Sequence, residues 1–382
     1  MENVKKFIIM MKDTEVMEVD FDTLQYTVIQ ENLLPYPIKG KLREMPRNDK
    51  SMSVNEMTQW MVAARKNEEA VVSWLANRVL PLSRANAKWI YNMCHFEQVG
   101  TDDQRVRIAM ACRAVSVLDP YWLKFEDDEG ITWSKVDVRQ NPLNEIIAQV
   151  ALHGKSLTLQ GSLVSPELTT NGAYAKAWRR HADSQLWLYK LGANGNTESR
   201  IEVMCSDLLD KMNVDHVHYE AGEDDGKYVC MCPCMTTERK AILTGMEFIS
   251  YCNVNGKDPE KEMFEIDRDS IYKMWIVDFL ISNRDRHGQN WGFFYDTETM
   301  EILECHPLFD HNNAFDIDFM RNIDAPYQFG DMTMKQAALK AMKEVEFHFT
   351  APITREDFIT ERQYKSFQAR AKCLGLELGN LE

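Results

Sequence analysis

No stretch of this chain approaches the ~18 uninterrupted apolar residues of a membrane helix, so no membrane span or membrane partner is expected. The N-terminus, MENVKKFIIMMKDTE, offers only the short apolar run FIIMM, too short for the core of a signal peptide. There is no C-x-x-C pair, and structural zinc prefers two of them. The nine cysteines are an odd number at irregular spacings, which argues against a disulfide framework and for a reduced, cytoplasmic protein. Cys230, Cys232 and Cys234 alternate, as buried cysteines on one strand face do. Basic charge is in deficit: 44 Lys and Arg against 59 Asp and Glu, a net charge of −15. That excludes a general nucleic-acid binder, because counterion release needs a Lys/Arg excess. A local basic group at Lys176, Arg179, Arg180 and His181 stays open. Repeats and low-complexity tracts are absent.

With 382 residues, 45% of them hydrophobic, there is material for two or three domains or subdomains. Short apolar runs between residues 5 and 30 predict two or three strands. Residues 31–52, with Pro35, Pro37, Gly40 and Pro46, predict a loop. Ser53 and Glu56 have capping-box spacing and open a helix to about Val79. Helices follow from about Ser83 through Trp89 and Met93, which read as core, from Asp102 to about Val117, and from Pro142 to about His153. Residues 126–141 read as a linker or edge segment. Short strands are expected next: around Leu157 and Leu159, at Leu186–Tyr189 ending on Lys190, and as a pair at 214–219 and 228–234. A polar loop lies at 167–176 and a helix at about 197–212. Two helices, about 334–345 and 355–374, close the chain.

Residues 275–314 carry the chemistry. Trp275, Ile276, Phe279 and Leu280 have helical spacing, and Ser282-Asn283 breaks the helix. Asp285, His287 and Asn290 follow, then an apolar strand from Trp291, a turn at 296–299, a second strand, and Pro307-Leu308-Phe309-Asp310. A lone D-x-x-x-x-N is an ordinary polar turn. Here a hairpin brings a second acid back toward the first. Phosphoryl transfer uses one carboxylate to orient the attacking hydroxyl, and an Asp and an Asn to hold Mg²⁺ against the phosphates.

The string N-R-D-R-H-G-Q-N-W-G-F followed by P-L-F-D resembles the HipA-like kinases, which share the protein-kinase-like fold. D-R-H-x-x-N is also similar to the catalytic loop of phosphatidylinositol 3/4-kinases. The resemblance implies Asp285 as catalytic base, with His287 at a position where HipA-like proteins carry a histidine, and Asn290 and Asp310 as Mg²⁺ ligands. His311-Asn312 follows Asp310 where protein kinases have Phe-Gly, so switching by a swinging Phe does not carry over.

Upstream, T-N-G-A-Y-A-K resembles the family's T/S-x-G-A-x-x-K phosphate loop, which implies Thr170, Asn171, Gly172, Ala173 and Lys176 as nucleotide-binding. It holds one glycine only, and a plain turn reads the same way. Lys190 matches the lysine that contacts the α- and β-phosphates. E-V-M-C-S-D-L-L resembles the family's E-V-x-x-S-x-L-L helix, which makes Glu202 the ion-pair partner of Lys190 in preference to Glu198. Residues 232–235 fall where a hinge would meet adenine.

The fold expected is α+β: an N-terminal accessory domain at 1–155, a kinase small lobe at 156–235 and a large lobe at 236–382. The function implied is ATP- and Mg²⁺-dependent transfer to a Ser or Thr hydroxyl of a protein, with an antitoxin-type protein partner in view. HipA-like kinases can phosphorylate a serine of their own phosphate loop, which points to Ser165, Thr169 or Thr170. Three other readings stand beside this one: a lipid or small-molecule kinase, a nucleotide-binding scaffold without catalysis, and a metal hydrolase using His216, His218, His287, His306 and His311.

Overall fold

The computed structural model describes residues 6–45, 52–96, 99–193 and 196–379. Part of the expected proline-rich loop, residues 46–51, lies outside them. The N-terminal block comprises strands β1 (Lys6–Met11), β2 (Thr14–Asp20) and β3 (Gln25–Val28), helices α1 (Val54–Asn77), α2 (Ala87–Met93) and α3 (Asp102–Ala111), strand β4 (Tyr121–Phe125), and helices α4 (Trp133–Val136) and α5 (Glu145–His153). Its sheet is antiparallel in the order β3-β2-β1-β4. The FIIMM run is apolar on both strand faces because both are covered. Phe7, Ile9 and Met11 join the main core. Met10, on the other face, packs in a second cluster with Trp122, Trp133 and Trp178. Ser53 caps α1 in a full capping box with Glu56, and Asn144 caps α5.

The second sheet, order β5-β6-β8-β7, is built from β5 (Lys176–Arg180), β6 (Leu186–Lys190), β7 (Glu220–Asp224) and β8 (Lys227–Pro233), with helix α6 (Thr197–Asp210) between β6 and β7. The third part holds β9 (Lys240–Thr244), helices α7 (Gly245–Val254) and α8 (Pro259–Leu280), the hairpin β10 (Gly292–Asp296) and β11 (Ile302–Cys305), then α9 (Ile317–Arg321), α10 (Met334–Ala341) and α11 (Glu361–Cys373). Its sheet runs β11-β10-β9. Helix α8 delivers the polar segment 282–291, and the hairpin returns the chain to Asp310. No helix among the described residues is long and apolar enough to cross a membrane.

Several expectations fail. The strand read at Leu157 and Leu159 is irregular chain, because no neighbouring strand pairs with it. Strand β8 pairs with β6 and β7, not with 214–219; that segment makes a single bridge, His216 to Leu308. Strand β5 went unread because its charged residues disguise it. They make no basic surface. Arg179 pairs with Asp224 and Glu145, and Arg180 donates to the Val138, Arg139, Asn141 and Ser184 carbonyls. His181 stacks on Trp187, and Lys176 is buried. Trp89 is exposed, since α2 turns Ala87, Ile90 and Tyr91 inward instead. The segment 126–141 contains α4, whose Trp133 is core.

The N-terminal block is tied directly to the loop before β5. Buried Arg84 donates to the Thr170 carbonyl at 2.8 Å and also to that of Lys176. Ala85 N–H donates to the Ala173 carbonyl at 2.8 Å. Arg84→Ala should cost about 1.5–3 kcal/mol, the range for hydrogen bonds from a charged donor. Hydrogen exchange should speed up in residues 169–176 first, and uniform acceleration across the chain would show that the tie is not local.

Candidate active site

The segment between α8 and β10 is held by one buried carboxylate. Asp278, in the last turn of α8, is fully buried. It accepts from Asn283 Nδ2 at 2.9 Å, from Tyr327 Oη at 2.7 Å, and from the Arg286 guanidinium at 3.0 to 3.3 Å. Arg286 in turn donates to the backbone carbonyls of Asn290 at 2.6 Å and Phe309 at 3.0 Å. One guanidinium therefore fixes both ends of the hairpin relative to α8. Asn283 Oδ1 also accepts the Asp285 N–H at 3.1 Å. Sequence reasoning missed Asp278, Asn283, Arg286 and Tyr327. The signal available was Asp278 itself, an acid inside the apolar run Trp275–Leu280 that must find a buried donor.

Asp285, His287, Asn290 and Asp310 line one cleft with Thr170, Lys176 and Lys190. Its volume is about 220 Å³. The Asp285 carboxylate accepts from Asn313 Nδ2 at 2.7 Å, and Asn313 Oδ1 accepts from the Tyr174 hydroxyl at 3.3 Å. Asn313 is a second residue the sequence did not single out. His287 is half exposed, with Nε2 3.9 Å from Asp285 Oδ1. Asn290 Nδ2 donates to the Asp285 carbonyl at 2.8 Å, which leaves its side-chain oxygen for another partner. Asp310 takes a positive φ of 62°.

Lys190 Nζ lies 3.2 Å from Glu202 Oε2, 2.9 Å from Asp310 Oδ1 and 3.0 Å from the Tyr219 hydroxyl. Glu202 uses its other oxygen to accept the His311 N–H at 2.9 Å. Glu198 sits in the first turn of α6, one turn short of this cluster. Burial would lower the Lys190 ammonium, but Asp310 and Glu202 outweigh it and hold its pKa well above the ordinary value. Burial opposes ionisation of Asp310 too, yet Lys190 and Lys176 pull it below the usual carboxylate range.

Lys176 faces Lys190 across the β5–β6 ladder. Burial, and then repulsion from Lys190, lower its pKa to about 7. Its ammonium lies 2.9 Å from the Asn171 carbonyl, under the loop 170–173. Gly172 has a φ of +106°, and a Cβ there would fall 2.2 Å from Lys176 Nζ. The positive φ is what calls for glycine, since the lysine end could move aside. Ser165 and Thr169 are buried. Ser165 donates to Glu167, Thr169 to the Val115 carbonyl at 2.8 Å, and Thr170 to the Pro166 carbonyl at 2.6 Å. Phosphorylation of Ser165 or Thr169 requires the segment to leave this position, whereas Thr170 is part-buried and lines the cleft. The apolar end of the cleft is walled by residues 232–235 and also by Val117 and Leu118 of the N-terminal block. That contribution could not be read from the sequence.

The cleft thus sets two lysines opposite an oxygen-rich group of one amide and two carboxylates. Such a surface suits a polyanion held together with a hard cation.

No family model matches the chain, and no curated protein matches it by sequence. Solved structures do match. HipA from Shewanella oneidensis MR-1, in a complex of the toxin–antitoxin system with HipB and operator DNA, aligns over 97% of this chain and 98% of its own, with a TM-score of 0.50 and 11% identity. The Helicobacter pylori proinflammatory kinase CtkA aligns over 52% of this chain and 88% of its own, with a TM-score of 0.36 and 14% identity. The fold is the α+β, two-lobed HipA-like fold with its N-terminal block.

Removing Asp278 strands a buried guanidinium. Asp278→Ala should cost about 3–5 kcal/mol, a large share of a typical stability of about 5–15 kcal/mol. Denaturant unfolding measures it, and a loss below about 1 kcal/mol would mean that Arg286 finds another acid.

Proposed function

We propose that this chain is an ATP- and Mg²⁺-dependent kinase that transfers the γ-phosphoryl group to a Ser or Thr hydroxyl of a protein. One observation carries the proposal: Lys190, paired with the buried Glu202 behind it, and the trio Asp285, Asn290 and Asp310 line a single cleft. The HipA-like fold supports it.

In this reading Lys190 and Lys176 neutralise the triphosphate, and Glu202 orients Lys190. The loop 170–173 covers the phosphates with its N–H groups. Asn290 and Asp310 offer only oxygen donors, and Asp310 Oδ1 is already taken by Lys190 and Asn312. That leaves Oδ2 of Asp310 and Oδ1 of Asn290 as the donor set, which fits Mg²⁺. When bound, the cation screens the charge that develops between the phosphates. Asp285, held by Asn313, orients the acceptor hydroxyl and takes its proton, with His287 at the rim of the same opening.

The similar Shewanella protein is seen with HipB, and an antitoxin-type protein partner is part of this proposal. The deficit of basic charge argues against direct nucleic-acid binding by this chain. A partly buried cleft with a half-exposed histidine at its mouth would admit a protein loop, and a screen of protein, lipid and sugar acceptors with γ-labelled ATP decides the acceptor class.

Asp285→Asn should lower phosphoryl transfer at least about 100-fold while ATP still binds. Retained turnover would remove the base from the account. Lys190→Ala should weaken nucleotide use more than Glu202→Ala does, and Glu198→Ala should do least; a reversed order of the two acids would discard the pair.

Lys176 yields a pH prediction. Its pKa is about 7 in the free protein, and a triphosphate beside it raises that value. The protonated form is then favoured on binding, so ATP affinity should fall as pH rises above about 7. Calorimetry near pH 8 in two buffers of different ionisation heat should show proton uptake on binding. Lys176→Met should abolish that uptake; uptake unchanged in the variant would place the titrating group elsewhere.

A further inference from the structure

A second cavity, of about 470 Å³, lies outside the cleft and shares no lining residue with it. Asp210, His216 and His218 stand together on its wall, with one donor atom from each within 4.8 Å of the others. His216 Nε2 is 3.8 Å and His218 Nδ1 is 3.6 Å from Asp210 Oδ1. These separations are too long for hydrogen bonds. They are close to the ~3.4 Å that separates neighbouring ligands about 2.1 Å from a tetrahedral zinc ion.

Three further observations point to a cation. His216 is 6% exposed, and its Nδ1 lies 2.8 Å from the Val214 carbonyl. A carbonyl can only accept, so Nδ1 carries the proton and Nε2 presents a lone pair. That Nε2 is buried and has no hydrogen-bond partner. A backbone carbonyl fixing the outer nitrogen is the usual outer support of a metal-binding histidine. Asp210 is also the last residue of α6, whose final turn holds no basic residue. A carboxylate at a helix C-terminus opposes the helix dipole, and a bound cation would relieve that conflict.

We propose that Asp210, His216 and His218 form a binding site for a divalent transition-metal ion, zinc foremost. Two imidazoles and one carboxylate suit zinc, cobalt or nickel and do not suit magnesium. The half-exposed Asp210 and exposed His218 leave the remaining coordination positions open to water. An ion there ties the end of α6 to the segment 214–219. That segment bonds to Leu308, two residues before Asp310: Val217 N–H donates to the Leu308 carbonyl at 2.9 Å, and Leu308 N–H to that of Asp215 at 3.0 Å. The ion therefore braces the helix that carries Glu202 against the segment that delivers Asp310. Its bearing on phosphoryl transfer rests on the kinase reading; the metal site itself does not.

The test uses the full chain, stripped with EDTA and returned to millimolar Mg²⁺ so that oxygen-only sites are filled. Cobalt(II) is titrated while its visible absorption is followed, and zinc is then added in competition. One cobalt per chain, displaced by zinc, is the expected result. His218→Ala changes an exposed side chain and should not disturb folding. It and Asp210→Asn should each weaken binding at least about tenfold, while Asp310→Ala, in the cleft, should leave it unchanged. Absence of cobalt and zinc binding in the wild type would overturn the site. So would wild-type affinity in His218→Ala, which would assign the metal to other residues.

Discussion

A single buried carboxylate organises the candidate cleft. A carboxylate buried at the end of α8 needs hydrogen-bond donors, and Asp278 has three: Asn283, Arg286 and Tyr327. Each donor comes from a segment that must be placed. Asn283 sets the backbone of Asp285, and Arg286 holds the carbonyls of Asn290 and of Phe309, the neighbour of Asp310, so all three positions refer to one point. Tyr327 pins the segment after Asp310 to that same point. A buried ion pair of this kind adds little net stability over an apolar replacement. What it supplies is a fixed geometry for a segment that has no secondary structure of its own.

The second constraint is charge. Lys190, Glu202 and Asp310 form a buried cluster in which one ammonium serves two carboxylates. Lys176 lies beside it without a carboxylate contact of its own and is held near neutrality by burial and by Lys190. A polyanion entering the cleft meets one lysine already committed and one ready to take a proton. The N-terminal block takes part in this arrangement. Arg84 holds the carbonyls of the loop over Lys176, Val117 and Leu118 wall the cleft, and Met10 and Trp122 pack on Trp178. The accessory domain expected at 1–155 shares packing and hydrogen bonds with the rest of the chain.

The sequence was legible where chemistry depends on spacing along the chain. The interval from Asp285 to Asn290, the hairpin returning to Asp310, the lysine ending β6 and the acid one turn into α6 are all local patterns. It was misleading where structure depends on pairing at a distance. Leu157 and Leu159 alternate like a strand and have no partner, whereas β5 is full of charge and has Leu186–Lys190 beside it. His216 and His218 read as alternating strand residues, and their alternation is what places both rings on one side, 4.6 Å apart.

By itself, then, the order of residues determined which groups could do chemistry, and roughly which elements carry them, because helical and strand periodicity and capping are local properties of the chain. Only the tertiary structure decided which of those groups meet. Asp278 is unremarked in the apolar last turns of α8 until Arg286, Asn283 and Tyr327 close on it, and Asp210 is an ordinary helix-end acid until the 214–219 segment brings two imidazoles to it. Burial, too, is a property of the assembled molecule. It leaves the Lys176 ammonium near neutrality and withdraws the hydroxyls of Ser165 and Thr169 from solvent, and no sequence pattern contains the desolvation that does so.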